Sequence, residues 1–116
     1  MAHYAFLDEN NVVTEVIVGV DETDLIQGQD PEIWYGNFRG QVCKRTSYNN
    51  NIRKQYAIIG GRYDPVADEF VKAQPFASWT LDANNDWQPP VVKPEGVNLW
   101  NEDLLAWVDP LDSFID

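Results

Sequence analysis

Four times along the chain a cluster of turn-forming polar residues stands between two aromatic or β-branched stretches, and that recurrence limits the fold more than any other feature. Three copies lie in the second half: RYDPVADEF carries Tyr63 and Phe70 around Asp64, Pro65 and Asp68; SWTLDANNDWQPP carries Trp79 and Trp87 around Asp82 to Asp86; LWNEDLLAW carries Trp100 and Trp107 around Asn101 to Asp103. A softer fourth opens the chain, where Phe6 and Leu7 precede Asp8-Glu9-Asn10-Asn11 and the run Val12, Val13, Thr14, Val16, Ile17, Val18 follows. Asn, Asp, Gly and Pro tolerate or pre-set the backbone angles of a tight turn, so each copy reads as strand, turn, strand. The intervals are irregular, which argues against a solenoid or propeller.

The rest of the chain fits the same pattern. His3 to Leu7 and Val12 to Val18 make an opening hairpin, with Val12, Thr14 and Val16 alternating against Val13, Glu15 and Ile17. Asp21 to Gln29 is polar and acidic and reads as an exposed loop. DPEIWYGNFRG predicts the one helix, near residues 31–38: Asp30 as N-cap, Pro31 at the first helical position, Glu32 at the positive end, and Gly36 or Gly40 as the stop. Beyond it the pattern predicts strands at Val42 to Thr46, Ile52 to Ile59, near Val71, Trp79 to Leu81, Trp87, Leu99-Trp100 and Ala106 to Val108, with Gly60-Gly61 as a hairpin turn. Pro75, Pro89, Pro90, Pro94 and Pro110 remove ladder donors and mark edges or terminations. The expected fold is mainly β, α+β at most: antiparallel strands and successive β-hairpins forming a single β-rich domain over 1–116. An extended Pro- and Trp-containing hairpin arm over 75–116 is the alternative form of its second half.

A chain of 116 residues can bury a modest core without staples. Cys43 is its one cysteine, which rules out an internal disulfide and reads as a small buried hydrophobe. No apolar run approaches the ~18 residues of a membrane span, and no basic start leads into an apolar run, so neither membrane nor secretory signal is expected. The formal charge of −11 opposes nucleic-acid binding, because phosphate contacts need a positive surface. The charge is unevenly placed. Arg39, Lys44, Arg45, Arg53, Lys54 and Arg62 fall in a stretch without a single acid, so the rest of the chain must carry −17. These six residues are candidates for a protein interface in which the basic band of one copy meets an acidic flank of the next; the plainer reading is that the charges offset one another within the fold.

Catalysis finds little support. His3 is the sole histidine, and nothing in the sequence ties it to Ser47, Ser78, Ser113 or Cys43. The acids lie in polar turns where solvation keeps them ordinary, unlike the tuned pair of a glycosidase. DANND and DENN lack the spacing and closing Glu of a helical calcium loop, and Gly60-Gly61 is not a phosphate loop. No catalytic, metal or cofactor residue is therefore assigned, and no cofactor is expected. Trp79, Trp87, Trp100 and Trp107 are candidates either for ring packing across hairpins or for exposed contact platforms, as in a carbohydrate-binding module.

Taken in order, Asp8 to Val13 (D-x-N-N-x-V), Thr46 to Asn49 (TSYN), Arg53 to Ala57 (R-K-x-Y-A), Ile59 to Asp64 (I-G-x-x-Y-D), Gln74 to Leu81 (Q-P-x-x-S-W-x-L), Trp87 to Pro90 (W-x-x-P) and the hairpin Trp100 to Trp107 resemble a group of small bacteriophage virion proteins from marine and cyanobacterial phages. The resemblance spans nearly the whole chain. It departs where Val42-Cys43-Lys44-Arg45 replaces a tryptophan ahead of TSYN, and at Ile58, where the group carries glycine. The resemblance implies a non-enzymatic structural protein of the phage particle, made in the host cytoplasm and assembled into the virion. The expected partners are other virion proteins, a major capsid protein or tail and fibre proteins, together with further copies of itself. Capsid decoration is the first expectation, with the tail Leu111 to Asp116 as a docking arm. A tail, baseplate or fibre adaptor is the second, and a carbohydrate-binding host-recognition module the alternative of another class.

Overall fold

A computed structural model describes residues 2–109. Pro110, Ser113 and the tail from Leu111 to Asp116 lie outside the described residues. The chain divides into two compact units at Ala73/Gln74.

The first unit is built on a three-stranded antiparallel sheet. β1 (Ala2–Leu7) lies in the centre, between β2 (Val13–Gly19) and β3 (Val42–Thr46). Because β1 is central and both of its faces are covered, its sequence AHYAFL shows almost no polar alternation. Ala5 and Leu7 face one core with Val13, Ala57, Tyr63 and Phe70; Ala2, Tyr4 and Phe6 face a second with Cys43, Ile17 and Tyr35. The edge strand β2 sends Val13 and Val16 to the first core and Ile17 to the second, while Thr14 and Val18 are exposed. The helix α1 (Pro31–Arg39) contributes Tyr35 to the second core, while β4 (Arg62–Asp64) and β5 (Glu69–Val71) contribute Tyr63 and Phe70 to the first.

The helix ends where the sequence places its caps. Asp30 accepts from the Glu32 amide at 2.9 Å, Pro31 opens the first turn, and Gly40 closes the helix in the left-handed region at φ 69°. Gly36 does not stop it. It lies inside the helix and close to the Gln41 carbonyl, which a Cβ there would meet at 2.8 Å.

The second unit carries two further hairpins: β6 (Thr80–Leu81) with β7 (Trp87–Gln88), and β8 (Leu99–Asn101) with β9 (Ala106–Val108). The strands are antiparallel throughout and the fold is mainly β, as expected.

The four turn clusters resolve into two matched pairs. In the first pair, Oδ1 of Asp8 accepts from the amides of Asn10 and Val12, and Oδ1 of Asp82 accepts from those of Asn84 and Asp86, at 2.8 and 3.0 Å in both turns. Asn11 and Asn85 then sit at φ 62° in the left-handed region, and Leu7 pairs with Val13 as Leu81 pairs with Trp87. In the second pair, Asp64 Oδ1 accepts from Val66 and Ala67, and Asn101 Oδ1 from Leu104. Asp68 and Leu105 take positive φ, and Tyr63 opposes Phe70 as Trp100 opposes Trp107. These carboxyl and amide oxygens therefore hold turn backbone. Replacing Asp8 or Asp82 by alanine is expected to cost about 1–2 kcal/mol, since each loses two amide bonds to a charged acceptor. Chemical denaturation of each variant measures it, and a change indistinguishable from zero in both would show the turns to be held by other contacts.

Expectations fail at two places in the chain. Ile52 to Ile59 is not a strand, because Arg53 and Lys54 take φ of 50° and 73° and the Arg53 carbonyl accepts from the amides of both Gln55 and Phe70. The chain folds back there and cannot extend. Gly60-Gly61 does form a turn, closed by the Gly61 amide on the Ile58 carbonyl at 2.9 Å, but it does not join two paired strands. It lays Gly60 and Gly61 against the outer edge of β2, exchanging two backbone hydrogen bonds with Val13. Secondly, Trp79 does not oppose Trp87 across its hairpin, because the Asp82 turn places Leu81 there.

Candidate functional site

The basic band of the sequence lies in the first unit, and three of its six cations, Arg39, Arg53 and Lys54, meet internal carboxylates. Arg53 is the hub: its Nη1 lies 2.5 Å from Glu32 Oε2 and 2.8 Å from the Arg45 carbonyl, and its Nε lies 2.8 Å from Asp68 Oδ1. Its guanidinium also stands 5.8 Å from the Tyr63 ring centroid. Burial works against this charge, but the bonds from Glu32 and Asp68 outweigh it and raise the pKa further. Glu32 accepts in addition from the Arg45 amide, so one helix carboxylate ties α1 to β3 and to the irregular stretch after it. Asp68 accepts the Tyr63 hydroxyl, which holds its carboxyl below the usual range. Burial, followed by this bond to Asp68, pushes Tyr63 up to about 12.

Arg39 pairs with Glu15 at 2.6 Å and lies 4.5 Å over the Phe6 ring, and both side chains of the pair stay in contact with solvent. Lys54 pairs with Glu69 at 3.6 Å, and Lys44 stands 5.4 Å from the Tyr63 ring. Arg62 is exposed. Arg45 is half-buried, and its guanidinium has no ion pair among the described residues. Three cations of the stretch without acids are thus paired internally, while Lys44, Arg45 and Arg62 make no ion pair among the described residues. Cys43 is buried, and burial pushes its thiol up to about 12, the behaviour of a core hydrophobe.

In the second unit three tryptophans form a cluster. Trp100 and Trp107, opposed in β8 and β9, meet at 5.3 Å between centroids, and Trp79 packs against both at 5.9 and 6.1 Å. The Trp100 ring meets Trp79 and Trp107 edge-to-face and Trp79 is tilted by 60° to Trp107, not the coplanar row that a sugar-stacking platform would present. Trp100 is only 7% exposed; Trp79, Trp87 and Trp107 are half-buried. Glu102 organises this cluster, accepting the Trp100 indole N–H at 2.8 Å, the Ser78 hydroxyl at 2.7 Å and the Ser78 amide at 3.0 Å. The Trp107 indole donates to the Val91 carbonyl, while the buried Trp79 indole N–H has no acceptor among the described residues.

Sequence reasoning placed Glu32 at the helix start and Asp68 in a turn, but it gave neither of them, nor Glu102, a role in holding other side chains. For Glu102 a signal was present: an acid two residues after a strand tryptophan lies on the same side of an extended chain and within reach of the indole. The indole of Trp100, and then Ser78, hold the Glu102 carboxyl below its ordinary value. A carboxyl depressed by folding stabilises fully above its unfolded value, about 4.3, and loses that contribution as pH falls through the folded value. Tryptophan emission is therefore expected to change in that acid range, and Glu102→Gln to remove part of the step. An identical titration in both proteins would separate Glu102 from the cluster.

No group of three or more His, Cys, Asp or Glu residues among the described residues is placed to hold a metal ion, and no described helix is long and apolar enough to cross a membrane. The chain matches no protein-family model, and no curated protein or solved structure is significantly similar to it.

Proposed function

We propose that this chain is a non-enzymatic structural protein of a bacteriophage particle, an accessory decoration protein that docks on the capsid in many copies. The observation that carries the reading is the allotment of side chains. Asp8, Asp64, Asp82, Glu32, Arg53 and Glu102 all hold backbone or partner side chains in place. Large apolar groups, in contrast, stand out in the turns and loops: Val66 is 95% exposed at the β4–β5 tip, Val92 88%, Phe38 73% on the helix and Leu104 66% at the β8–β9 tip. A polar skeleton with apolar projections favours a protein that joins surfaces, because exposed apolar groups contribute only when a partner covers them. Ion pairing within the first unit leaves a strongly acidic exterior, which disfavours nucleic acid as that partner.

Imaging particles with and without this chain tests the proposal. Density lost at regular positions on the shell supports decoration. Density lost from the tail or baseplate replaces it with the adaptor reading, and particles of unchanged appearance and composition reject both.

A further inference from the structure

The two edges of the three-stranded sheet are treated differently. On the outer edge of β3 the Arg45 amide donates to Glu32 and its carbonyl accepts from Arg53. Those bonds set the direction of every backbone group in the sheet, because bonding alternates from residue to residue along an antiparallel strand. With Arg45 turned away from β1, Tyr4 opposite it turns its N–H and C=O towards Ile17 of β2. Val16 and Val18, on either side of Ile17, therefore direct theirs outward. The far end agrees: Val13, opposite Leu7, bonds outward to Gly60 and Gly61.

Beyond that turn the edge is bare. From Glu15 to Gly19 no described residue bonds to the outer backbone of β2. Such a row is a template for another strand, and proteins blunt it with proline, lysine or a bulge. None of these lies in EVIVG; the bulge of β2 comes before it, between Val13 and Glu15, and Glu15 is already paired with Arg39. Val18 is 55% exposed on the face that carries Val16, while Ile17 faces the other way.

The geometry points to a second copy of this chain as the occupant, the two β2 edges pairing antiparallel about a two-fold axis at Ile17. The free stretch is complementary to itself in this register. Val16 of each copy opposes Val18 of the other, so every outward N–H and C=O of these residues finds a partner. Ile17 meets Ile17 on the opposite face, and Glu15 lies opposite Gly19, which has no side chain to meet it. Other registers fail. A shift by one residue sets outward groups against inward ones. A shift by two either brings Glu15 against Ile17 or sends Val16 to Val20, whose amide and carbonyl already serve the hydroxyls of Tyr35 and Tyr4. The pairing joins two sheets into one, in the order β3-β1-β2-β2-β1-β3, through an isologous contact. It goes beyond the decoration role and does not rest on it.

Sedimentation of the full chain tests the pairing, in about 0.3 M salt to screen the repulsion between two chains of charge −11. The ladder is short beside a standard interface, so a monomer–dimer equilibrium with a dissociation constant on the order of 100 μM is expected. Amide hydrogen exchange locates the contact. The Val16 and Val18 amides should exchange freely at about 10 μM chain and several-fold more slowly at about 1 mM, whereas the Ile17 amide, bonded to β1, is protected at both. In a mixture of isotope-labelled and unlabelled chains, NMR contacts between copies should link Ile17 to Ile17. Val18→Lys should weaken the dimer at least tenfold with Ile17 still protected. Val18→Pro should do the same, since the N–H it removes points away from β1. A chain that stays monomeric up to about 1 mM would overturn the proposal. So would a dimer whose Val16 and Val18 amides exchange as in the monomer, one centred away from Ile17, or one as tight with Val18→Lys. Protection of both amides in the dilute chain would also overturn it, assigning the edge to a segment of the chain itself.

Discussion

Trp100→Ala is expected to open the β8–β9 hairpin at a cost of about 3–5 kcal/mol, the range for deleting a buried indole. Trp100 is the one buried hydrophobic among the described residues of the second unit; every other member of the buried core belongs to the first. The substitution removes edge contacts with Trp79 and Trp107, each adding roughly 0.5–1.5 kcal/mol beyond area burial, and strips Glu102 of its indole donor. Ser78, bonded to the same carboxylate by both amide and hydroxyl, should loosen with it. Amide hydrogen exchange checks this, with protection in Tyr4 to Leu7 as the internal reference. Protection of Trp100 and Trp107 neighbours that survives the substitution would show that backbone ladder and turn, not ring packing, hold the hairpin. Trp107→Ala should cost less, because that ring is half-buried to begin with.

The hairpin character of this region could be read from its turn residues, because Asp and Asn at the first turn position act locally, through their own side-chain oxygens. The opening hairpin, the helix caps at Asp30 and Gly40, and the opposition of Trp100 to Trp107 were legible for the same reason: each depends on residues within a few positions of one another. The register of Trp87 was legible in principle. DENNV and DANND are the same turn, and applying the pairing of Leu7 with Val13 to the later copy places Leu81 opposite Trp87. Trp79, shifted out of that ladder, is then free to join Trp100 and Trp107 across a separation in sequence that no local pattern encodes.

Ile52 to Ile59 shows the opposite limit. IRKQYAII carries enough β-branched and aromatic residues to read as a strand, but a turn back at Arg53 brings its carbonyl to the Phe70 amide and its side chain to Glu32 and Asp68. Those partners lie on a helix and a hairpin tip distant in sequence. Propensity is a weak constraint when a polar network of that size competes with it. Half of the basic band is likewise paired by carboxylates from elsewhere in the chain: Arg39, Arg53 and Lys54 meet acids that arrive from β2, α1 and β5.

Arg53 is accordingly the polar residue whose loss should matter most. Arg53→Ala is expected to destabilise the first unit by about 3 kcal/mol, at the lower end of the range for breaking a buried ion pair, since its side chain retains 18% exposure. Removal leaves Glu32 with the Arg45 amide alone, uncovers the Arg45 carbonyl, and deprives Asp68 of its cation. Arg53→Lys should rescue little, because one ammonium cannot span Glu32, Asp68 and a carbonyl in the planar fork that guanidinium supplies. The backbone offers an internal control. At φ 50° an alanine is strained and a glycine is not, so Arg53→Gly should recover about 1–2 kcal/mol relative to alanine and no more. Lys54→Gln, which breaks an exposed 3.6 Å pair, should change stability by under about 1 kcal/mol. Urea denaturation of the four variants distinguishes these terms. If glycine restored full stability, the left-handed turn alone would account for the position and the guanidinium would be an ornament; if lysine did, a point charge would suffice and the three-way geometry would carry no weight.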